Sequence, residues 1–413
     1  MRKSFKNRRF SAFIAGPAVL VLWFTAGLSA QDGISYPEGT RSVRVVGGAA
    51  SVRATTDLDG PVRGAIRFNT RHPVLETAGR SGGCPGWTRI DEESWVCNTM
   101  LEPSTEEPAG RIEPWIPRGR TVPYRYARVR RGGTDAFSRP DGTSRSRRLA
   151  SGFVVALRPH RNPEGAVPMA RTLSGDFVRE DAIDRLYPSR FEGIEITEDT
   201  DLSTLGWVSR FREPMYGIPR VSRRTGRARY LRIVTVMGEE NGFYQLEDGN
   251  YIDAEAVSRP SPTTEFPEGI GDDEHWIDVH LDSQTLMAYE GTRPVFVTLI
   301  SSGRPYRGRE TPTGEFRIWA KLATATMDDI GNADASEDYS VQGVPWVQYF
   351  EGSVGFHAAF WHAAFGTRVS HGCINLSPID ARWLFGFTEP VLRPGWVSIR
   401  PSELDPGTLV RVR

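Results

Sequence analysis

The lone cysteine near the C-terminal end of the chain is the residue best suited to covalent chemistry. Cys373 lies in the segment Ser370-His371-Gly372-Cys373-Ile374-Asn375, and two more histidines, His357 and His362, precede it closely. A thiol attacks efficiently only as the thiolate, and a neighbouring imidazole is a common acceptor for its proton. Gly372 leaves room for a carbonyl group and frees backbone N–H groups to form an oxyanion hole. The spacing therefore predicts cysteine-dependent acyl transfer.

The residues after the cysteine predict an element that supports it. Ser377 and Pro378 have the types that favour a helix N-cap and the first helical position, and Asp380 adds a carboxylate in the first turn. We therefore expect a short amphipathic helix over 379–386, packed behind the turn that carries Cys373.

Two other interpretations of these residues are open at this point. One is a zinc site, whose ligands would be His357, His362, His371 and Cys373. That spacing fits no standard finger pattern, and zinc does not explain the glycine beside the cysteine. The other is an inert cysteine, because free cysteines are among the most buried residue types.

The motif around Cys373 resembles the signature of the L,D-transpeptidase catalytic domain of the YkuD type. That signature is a histidine followed at some distance by Ser/Thr-His-Gly-Cys, and here Gly355-Phe356-His357 precedes Ser370-His371-Gly372-Cys373. The family's glycine-rich strand pair and opening hairpin have counterparts in 300–316 and 276–289. The resemblance spans about residues 274–400 and implies a β-sandwich with short helices.

This resemblance implies a role for each residue of the motif. Cys373 would be the nucleophile and His357 the base, with the backbone carbonyl of Ala358 orienting the imidazole. The groups implied for the oxyanion hole and the support of the turn are the backbone N–H groups of His371, Gly372 and Cys373 and the hydroxyl of Ser370. The residues implied for substrate binding are Asn375, His362, Trp346, Tyr349, Phe350 and Arg368.

Asn375 departs from the family pattern, in which many members carry arginine at this position. An amide can hydrogen-bond but cannot pair ionically with a carboxylate, so substrate recognition here is open. Arg368, just before the motif, is the alternative partner for a substrate carboxylate.

The reaction implied by the resemblance is transpeptidation of peptidoglycan. A stem tetrapeptide would acylate Cys373 through the carbonyl of its third residue and release D-alanine, and an amine of a neighbouring stem would complete a 3→3 cross-link. Water as the acceptor would give L,D-carboxypeptidase activity, and an envelope-protein amine would give protein attachment. No metal or organic cofactor is implied. The non-enzymatic alternative is a wall-binding protein with a degenerate catalytic domain, against which the intact His357 and Cys373 argue.

The rest of the chain predicts a mainly β, multidomain protein with small β-barrels before the catalytic segment. Its 42 glycines and 29 prolines indicate many turns between short apolar runs. Residues 41–100, the first module, and residues 205–258, the third module, each resemble a bacterial Src-homology-3-like barrel. Residues 122–200 form a β-rich second module. Linkers are expected at 101–110 and 258–268.

Arginine is concentrated in residues 111–148, around the start of the second module. Such a cluster would suit contact with anionic wall polymers. A solvated face is the simpler interpretation.

Cys84 and Cys97 are close together in the first module. In an exported chain, a near pair indicates a disulfide. Closing this loop would restrict the unfolded chain by about 3 kcal/mol in the entropic model. Two reduced, buried cysteines are the alternative.

The first 30 residues have the order of a secretory leader. Residues 1–10 hold five cations and no acid, an apolar stretch follows from Ala12 to Leu28, and small residues lead to a cleavage site after Ala30. Without cleavage, this stretch would anchor the chain in a membrane. We therefore expect an exported protein of the periplasm or cell envelope.

The charge balance excludes some partners. The whole chain has 51 basic and 51 acidic side chains, and loss of the leader would leave the protein mildly acidic. It lacks the basic field that nucleic-acid binding needs. The expected partners are peptidoglycan stem peptides, with an envelope-protein amine as a second kind of acceptor.

Overall fold

The computed structural model describes residues 35–306, 308–328 and 339–413, so the proposed leader lies outside the described residues. Within these ranges, strands dominate, and one α-helix and three short 3-10 helices accompany them. The mainly β fold class is confirmed. None of the described helices is both long and apolar enough to cross a membrane.

The first module and the four residues that follow it contain eight short strands. They are β1 (Ser42–Val45), β2 (Ala50–Arg53), β3 (Val62–Ile66), β4 (Arg71–His72), β5 (Glu76–Ala78), β6 (Trp87–Asp91), β7 (Ser94–Cys97) and β8 (Leu101–Ser104). β1 pairs with β4 and β8, and the others form an antiparallel run in the order β5, β6, β7, β2 and β3. The disulfide between Cys84 and Cys97 is confirmed, with Cα atoms 5.9 Å apart beside the buried Trp87.

The second module is a set of antiparallel strands. They are β9 (Arg125–Val129), β10 (Thr134–Phe137), β11 (Arg145–Leu149), β12 (Val154–Arg158), β13 (Met169–Thr172), β14 (Phe177–Arg179), β15 (Ile183–Leu186) and β16 (Ile194–Glu195). Several of its arginines form ion pairs, namely Arg130 with Asp184, Arg145 and Arg148 with Asp135, and Arg147 with Asp176. These pairs agree with a solvated face.

The third module is a seven-stranded sheet with the order β19, β18, β22, β21, β20, β17 and β23. The strands are β17 (Leu205–Val208), β18 (Pro214–Tyr216), β19 (Arg224–Arg227), β20 (Ile233–Glu240), β21 (Phe243–Leu246), β22 (Tyr251–Asp253) and β23 (Val257–Ser258). An Asp-Gly turn joins β21 to β22, and Gly249 has the positive φ (+80°) that such a turn requires.

Residues 274–413, called the catalytic segment after the function expected of them, pack two sheets around a core, with one helix. Its elements are β24 (His275–His280), β25 (Thr285–Glu290), β26 (Arg293–Leu299), β27 (Gly314–Arg317), β28 (Ala320–Asp328), β29 (Ser340–Glu351), β30 (Val354–Ala358), β31 (Ile374–Leu376), α1 (Pro378–Phe387), β32 (Trp396–Ile399) and β33 (Leu409–Val412). One sheet has the order β16, β26, β25, β24, β33 and β27. The other runs from β31 through β30, β29 and β28 to β32. The predicted helix is confirmed and is longer by one residue at each end.

All three modules pack into the catalytic segment. In the first module, β3 pairs with β32, and its core residues share one cluster with those between the two sheets. In the second module, Val154 pairs with Val341 of β29, and β16 forms an edge of the catalytic sheet. In the third module, Trp207 belongs to the same buried cluster as Trp276. Each module therefore shares strand pairing or buried core with the catalytic segment.

This packing changes the interpretation of both expected linkers. Residues 101–104 form β8, which pairs with β1 along its length, so the linker prediction is wrong for this part. In the second linker, the Ser261 carbonyl accepts a hydrogen bond from Arg413 (2.7 Å), and the Thr263 N–H donates to the Tyr289 hydroxyl (3.2 Å). Backbone groups of both segments therefore have hydrogen-bond partners, because both segments lie against other elements.

Candidate active site

The pairing of two parallel strands puts the candidate nucleophile and the candidate base on neighbouring stretches of backbone. β30 contains His357, and β31 begins immediately after Cys373. Phe356 lies opposite Ile374, and His357 lies opposite Asn375. Adjacent strands are about 4.8 Å apart. Cys373, directly before the first residue of β31, therefore lies beside the strand that holds His357.

A small hydrogen-bond network holds the turn before the cysteine. The Ser370 hydroxyl donates to the Cys373 carbonyl (2.5 Å) and accepts the Gly372 N–H (3.1 Å). The Thr311 hydroxyl donates to the Gly372 carbonyl (2.7 Å) and accepts the Gly303 N–H (2.9 Å). Gly372 has a φ of +119°, which side-chain-bearing residues rarely adopt. The turn therefore requires glycine next to the cysteine.

This network alters the expected oxyanion hole. The Gly372 N–H already donates to Ser370, so in this arrangement it is not available to a substrate oxygen. The Cys373 N–H has no acceptor among the described residues, so it is the member of the expected hole that the turn does not use. Ser370 contacts the turn on both sides, as the support role would require.

Cys373 and His357, the candidate nucleophile and base, both favour their neutral forms at pH 7. Burial raises the pKa of the half-buried Cys373 thiol, and the Gly355 N–H has a smaller lowering effect. Burial lowers the pKa of His357 to about 4, although the Ala358 carbonyl, 3.4 Å from Nδ1, favours the protonated ring. The thiol lies 3.5 Å from the Ser353 carbonyl oxygen, to which it donates. The resting state is therefore a thiol and an imidazole rather than an ion pair.

His362 and Asn375 form a second polar pair beside the candidate nucleophile and base. Nδ1 of His362 accepts the Ala364 N–H (3.1 Å), and Nε2 lies 2.8 Å from the Asn375 amide. Burial, with a smaller effect of Arg128, lowers the pKa of His362 to about 4, so the ring is neutral. The atom of that amide facing Nε2 is the nitrogen, while the amide oxygen is buried without a partner among the described residues. A neutral ring that accepts at Nδ1 carries its proton on Nε2, so the pair is satisfied when the amide is turned to present its oxygen as the acceptor.

The structure separates the three aromatic residues expected to line a substrate groove. Trp346 and Phe350 lie in the main hydrophobic core, each 3% exposed, so their prediction as groove residues is wrong. The reason is that β29 is covered on both faces, which buries both sets of alternating side chains. Tyr349 is only partly buried, and its phenol lies close enough to the Cys373 thiol for the thiol to contribute, after burial, to its raised pKa.

The two remaining sequence candidates already have partners. Arg368 donates to the Leu281 carbonyl (3.1 Å) and to Asp282 (2.8 Å), so a substrate carboxylate would compete with Asp282 for it. The His371 ring stacks on Tyr339, with ring centroids 5.3 Å apart.

Two residues of the site were missed in the sequence. Trp361 stacks on the His357 ring, with centroids 5.6 Å apart and planes at 27°. Thr311 belongs to the glycine-rich strand pair noted in the sequence. The hydrogen bonds of its hydroxyl group, which link the turn to Gly303, could not be read from that motif. An aromatic residue four positions after a histidine has no distinctive pattern in a loop, so sequence reasoning had no signal for Trp361.

The zinc alternative receives no geometric support from these residues. No group of three or more histidine, cysteine, aspartate or glutamate side chains in the described ranges is arranged to hold a metal ion. His362 uses both ring nitrogens in hydrogen bonds.

The segment that builds this site also matches a known family. Residues 274–412 match the YkuD family model, the L,D-transpeptidase catalytic domain. This segment is a YkuD-type catalytic domain. The resemblance seen in the sequence is therefore confirmed for the catalytic segment, and the match includes β33 at the C-terminal end of the described chain.

Individual proteins with this domain align with only part of the chain. L,D-transpeptidase 1 of Mycobacterium tuberculosis is 38% identical over 90 residues, which are 21% of this chain and 35% of that protein. The chain thus spans about a third of the length of that relative. The NMR structure of the E. faecium L,D-transpeptidase catalytic domain is 28% identical, with 34% of this chain and 98% of that chain covered and a TM-score of 0.27. An L,D-transpeptidase structure from Mycobacterium smegmatis is 22% identical, with 44% and 77% covered and a TM-score of 0.28.

These similarities concern the YkuD-type domain. The barrel type of the first and third modules stays a prediction, as do the proposed domain boundaries.

Proposed function

We propose that this protein is a cysteine L,D-transpeptidase that forms 3→3 cross-links between peptidoglycan stem peptides in the periplasm or cell envelope. The observation that carries the proposal is the placement of Cys373, on a turn that requires Gly372, beside the strand holding the buried, neutral His357 in a YkuD-type domain. A neutral imidazole is able to accept the thiol proton when the substrate arrives.

The first half-reaction acylates the enzyme. The Cys373 sulfur attacks the carbonyl of the third stem residue while His357 takes the thiol proton. The carbon–sulfur bond forms, and the peptide bond to D-alanine breaks as His357 returns the proton to the leaving amine. The Cys373 N–H would stabilise the oxyanion, together with the N–H of His371 expected from the family resemblance.

The second half-reaction transfers the acyl group. An amine of a neighbouring stem attacks the thioester, His357 removes a proton from that amine, and the sulfur leaves as the thiolate, which regains a proton. The product is an amide between the third residues of two stems. The chemistry uses only protein groups, and the acceptor decides between cross-linking, trimming by water and attachment to an envelope protein.

The test is incubation of the full-length mature protein with a purified disaccharide-tetrapeptide, followed by mass spectrometry. A dimer lighter than two donors by one D-alanine is the expected product. The Cys373→Ala and His357→Gln variants should form none, whereas the matched control His160→Gln, an exposed histidine in the second module, should remain active. If the tripeptide is the only product, the protein is an L,D-carboxypeptidase and the cross-linking proposal fails. Full activity of Cys373→Ala would exclude Cys373 as the nucleophile.

A further inference from the structure

The segment that joins the base to the nucleophile is held from outside the catalytic segment. Residues 359–369, the connecting segment, run from β30 with His357 to the turn with Cys373. This segment carries Trp361, which stacks on His357, and His362, which bonds Asn375. Any displacement of the connecting segment therefore changes the surroundings of the base.

The second module contacts residues 360 and 361 of this segment. The guanidinium of Arg128, on β9, donates to the Trp361 carbonyl (2.9 Å). The neighbouring Tyr126 ring stacks on Phe360, with centroids 3.6 Å apart, and its hydroxyl donates to the Gly343 carbonyl (2.7 Å). The module thus contacts the backbone of the very residue whose ring covers His357.

The third module contacts residues 365 and 366 of the same segment. The Tyr230 hydroxyl donates to the Phe365 carbonyl (2.7 Å), and burial raises the pKa of that phenol to about 12, so it stays a donor at all relevant pH. Gly366 approaches Ser209 so closely that a Cβ on the glycine would lie 2.7 Å from the serine Cβ. Contacts of this kind leave the connecting segment little freedom to move.

We infer that Arg128 and Tyr230, contributed by two different upstream modules, are positioning residues of the active site. They fix the carbonyls of Trp361 and Phe365 and so hold the ring of Trp361 against His357. On this account, the upstream modules complete the catalytic centre. The inference extends the proposed transpeptidase function, on which its kinetic part rests.

Conservative substitutions isolate these two hydrogen bonds. Arg128→Met keeps an unbranched side chain. Arg125→Met on the same strand is its matched control, because Arg125 is also exposed and has no partner among the described residues. Tyr230→Phe removes only the hydroxyl, and Tyr244→Phe is its control in the same module. Arg128→Lys retains a donor for the Trp361 carbonyl and is the rescue variant.

Two measurements test the inference in the full chain. We expect Arg128→Met and Tyr230→Phe together to lower kcat by about tenfold or more while KM changes by less than about twofold, because misplacement of a reacting group affects the chemical step. Arg128→Lys should recover most of the loss. Hydrogen exchange of the amides in 359–369, followed by mass spectrometry without substrate, should accelerate in the double variant and not in the two controls.

The outcomes separate this inference from the proposed function. Values of kcat and exchange equal to those of the controls would overturn it. A kcat loss that Arg128→Lys does not restore, with exchange unchanged, would also contradict it. If exchange accelerates but the wild-type protein shows no activity on the tetrapeptide, the positioning role stands and the proposed function fails.

Discussion

The protonation of Cys373 and His357 determines how this site reacts. Burial raises the pKa of the thiol and lowers that of the imidazole to about 4, so each group favours its neutral form. In the proposed mechanism the proton must therefore move during attack, and the substrate-free protein holds little thiolate at neutral pH. Such a site protects an unpaired cysteine from oxidants, because the thiolate is the reactive form.

This protonation state predicts the pH dependence of alkylation. The rate at which iodoacetamide modifies Cys373 in the substrate-free protein should rise with pH up to and beyond pH 9, since the thiol deprotonates only above its ordinary pKa. Mass spectrometry of the Cys373 peptide measures the rate. A plateau already reached near pH 6 would show a thiolate–imidazolium pair and contradict the assignment.

The backbone at Gly372 gives a second prediction at this scale. Gly372→Ala forces a side chain into the positive-φ region, which costs about 1 kcal/mol of folding free energy, and also displaces the Cys373 turn. The control is Gly165→Ala, where φ is also positive (+75°) and an added Cβ has open space. Thermal unfolding should show similar losses for both variants, whereas only Gly372→Ala should lose transpeptidase activity. Retained activity in Gly372→Ala would show that the turn does not need glycine.

At the scale of elements, helix α1 behind the nucleophile strand is capped at both ends. Ser377 accepts the Asp380 N–H (3.1 Å), as its N-cap type predicted. At the other end, the fully buried Lys321 of β28 donates to the carbonyls of Phe385 (2.8 Å) and Thr388 (2.6 Å). Burial lowers the pKa of Lys321 to about 7, against the opposing effects of nearby carboxylates.

Replacement of this lysine tests its role in the helix. Lys321→Met leaves two carbonyls without their donor and should lower the free energy of unfolding by about 2 kcal/mol. In the wild-type protein, the unfolded chain binds more protons than the folded chain between pH 7 and 10.5, so stability should rise with pH there. That rise should weaken in the variant.

Chemical denaturation at several pH values measures both effects. The control Ser377→Ala should cost about 1 kcal/mol at the other helix end without changing the pH slope. An identical slope in Lys321→Met and wild type would show that the lysine does not titrate in this window.

Local elements were predictable from the sequence, whereas side-chain environments set by distant strands were not. Ser377 and Pro378 predicted the helix because capping acts within a few residues. Asp380 lies in the first turn, as predicted, but its burial and the hydrogen bonds that it accepts from Thr298 (2.6 Å) and the Gly193 N–H (2.8 Å) had no signal in the sequence. Trp346 was misplaced for the same reason, since only the tertiary pairing of β29 shows that both of its faces are covered.

At the scale of the whole molecule, the shared cores decide stability. Leu205 and Trp207 of the third module lie in one buried cluster with Trp276 and Tyr289 of the catalytic segment. Strands of the first and second modules extend the catalytic sheet through direct pairing. The sequence indicated the modules but not this integration, because contacts between distant segments leave no local periodicity.

This integration predicts how a truncated protein behaves. Calorimetry of the chain from residue 35 should show one cooperative transition, whereas a fragment of 274–413 should unfold without one or at a midpoint lower by at least about 10 °C, because it exposes core surface. Removal of only 35–40 is the control and should change little. A fragment as stable as the full chain would show that the modules are independent of the catalytic segment.

The central claim is that Cys373 carries the acyl group, and intact-mass spectrometry of the protein mixed with a tetrapeptide donor in the absence of acceptor tests it most directly. The account predicts a covalent adduct whose mass equals the donor less D-alanine, located on the Cys373 peptide, reversible by hydroxylamine and absent from Cys373→Ala. An adduct on another residue, or product formation by Cys373→Ala, would contradict it.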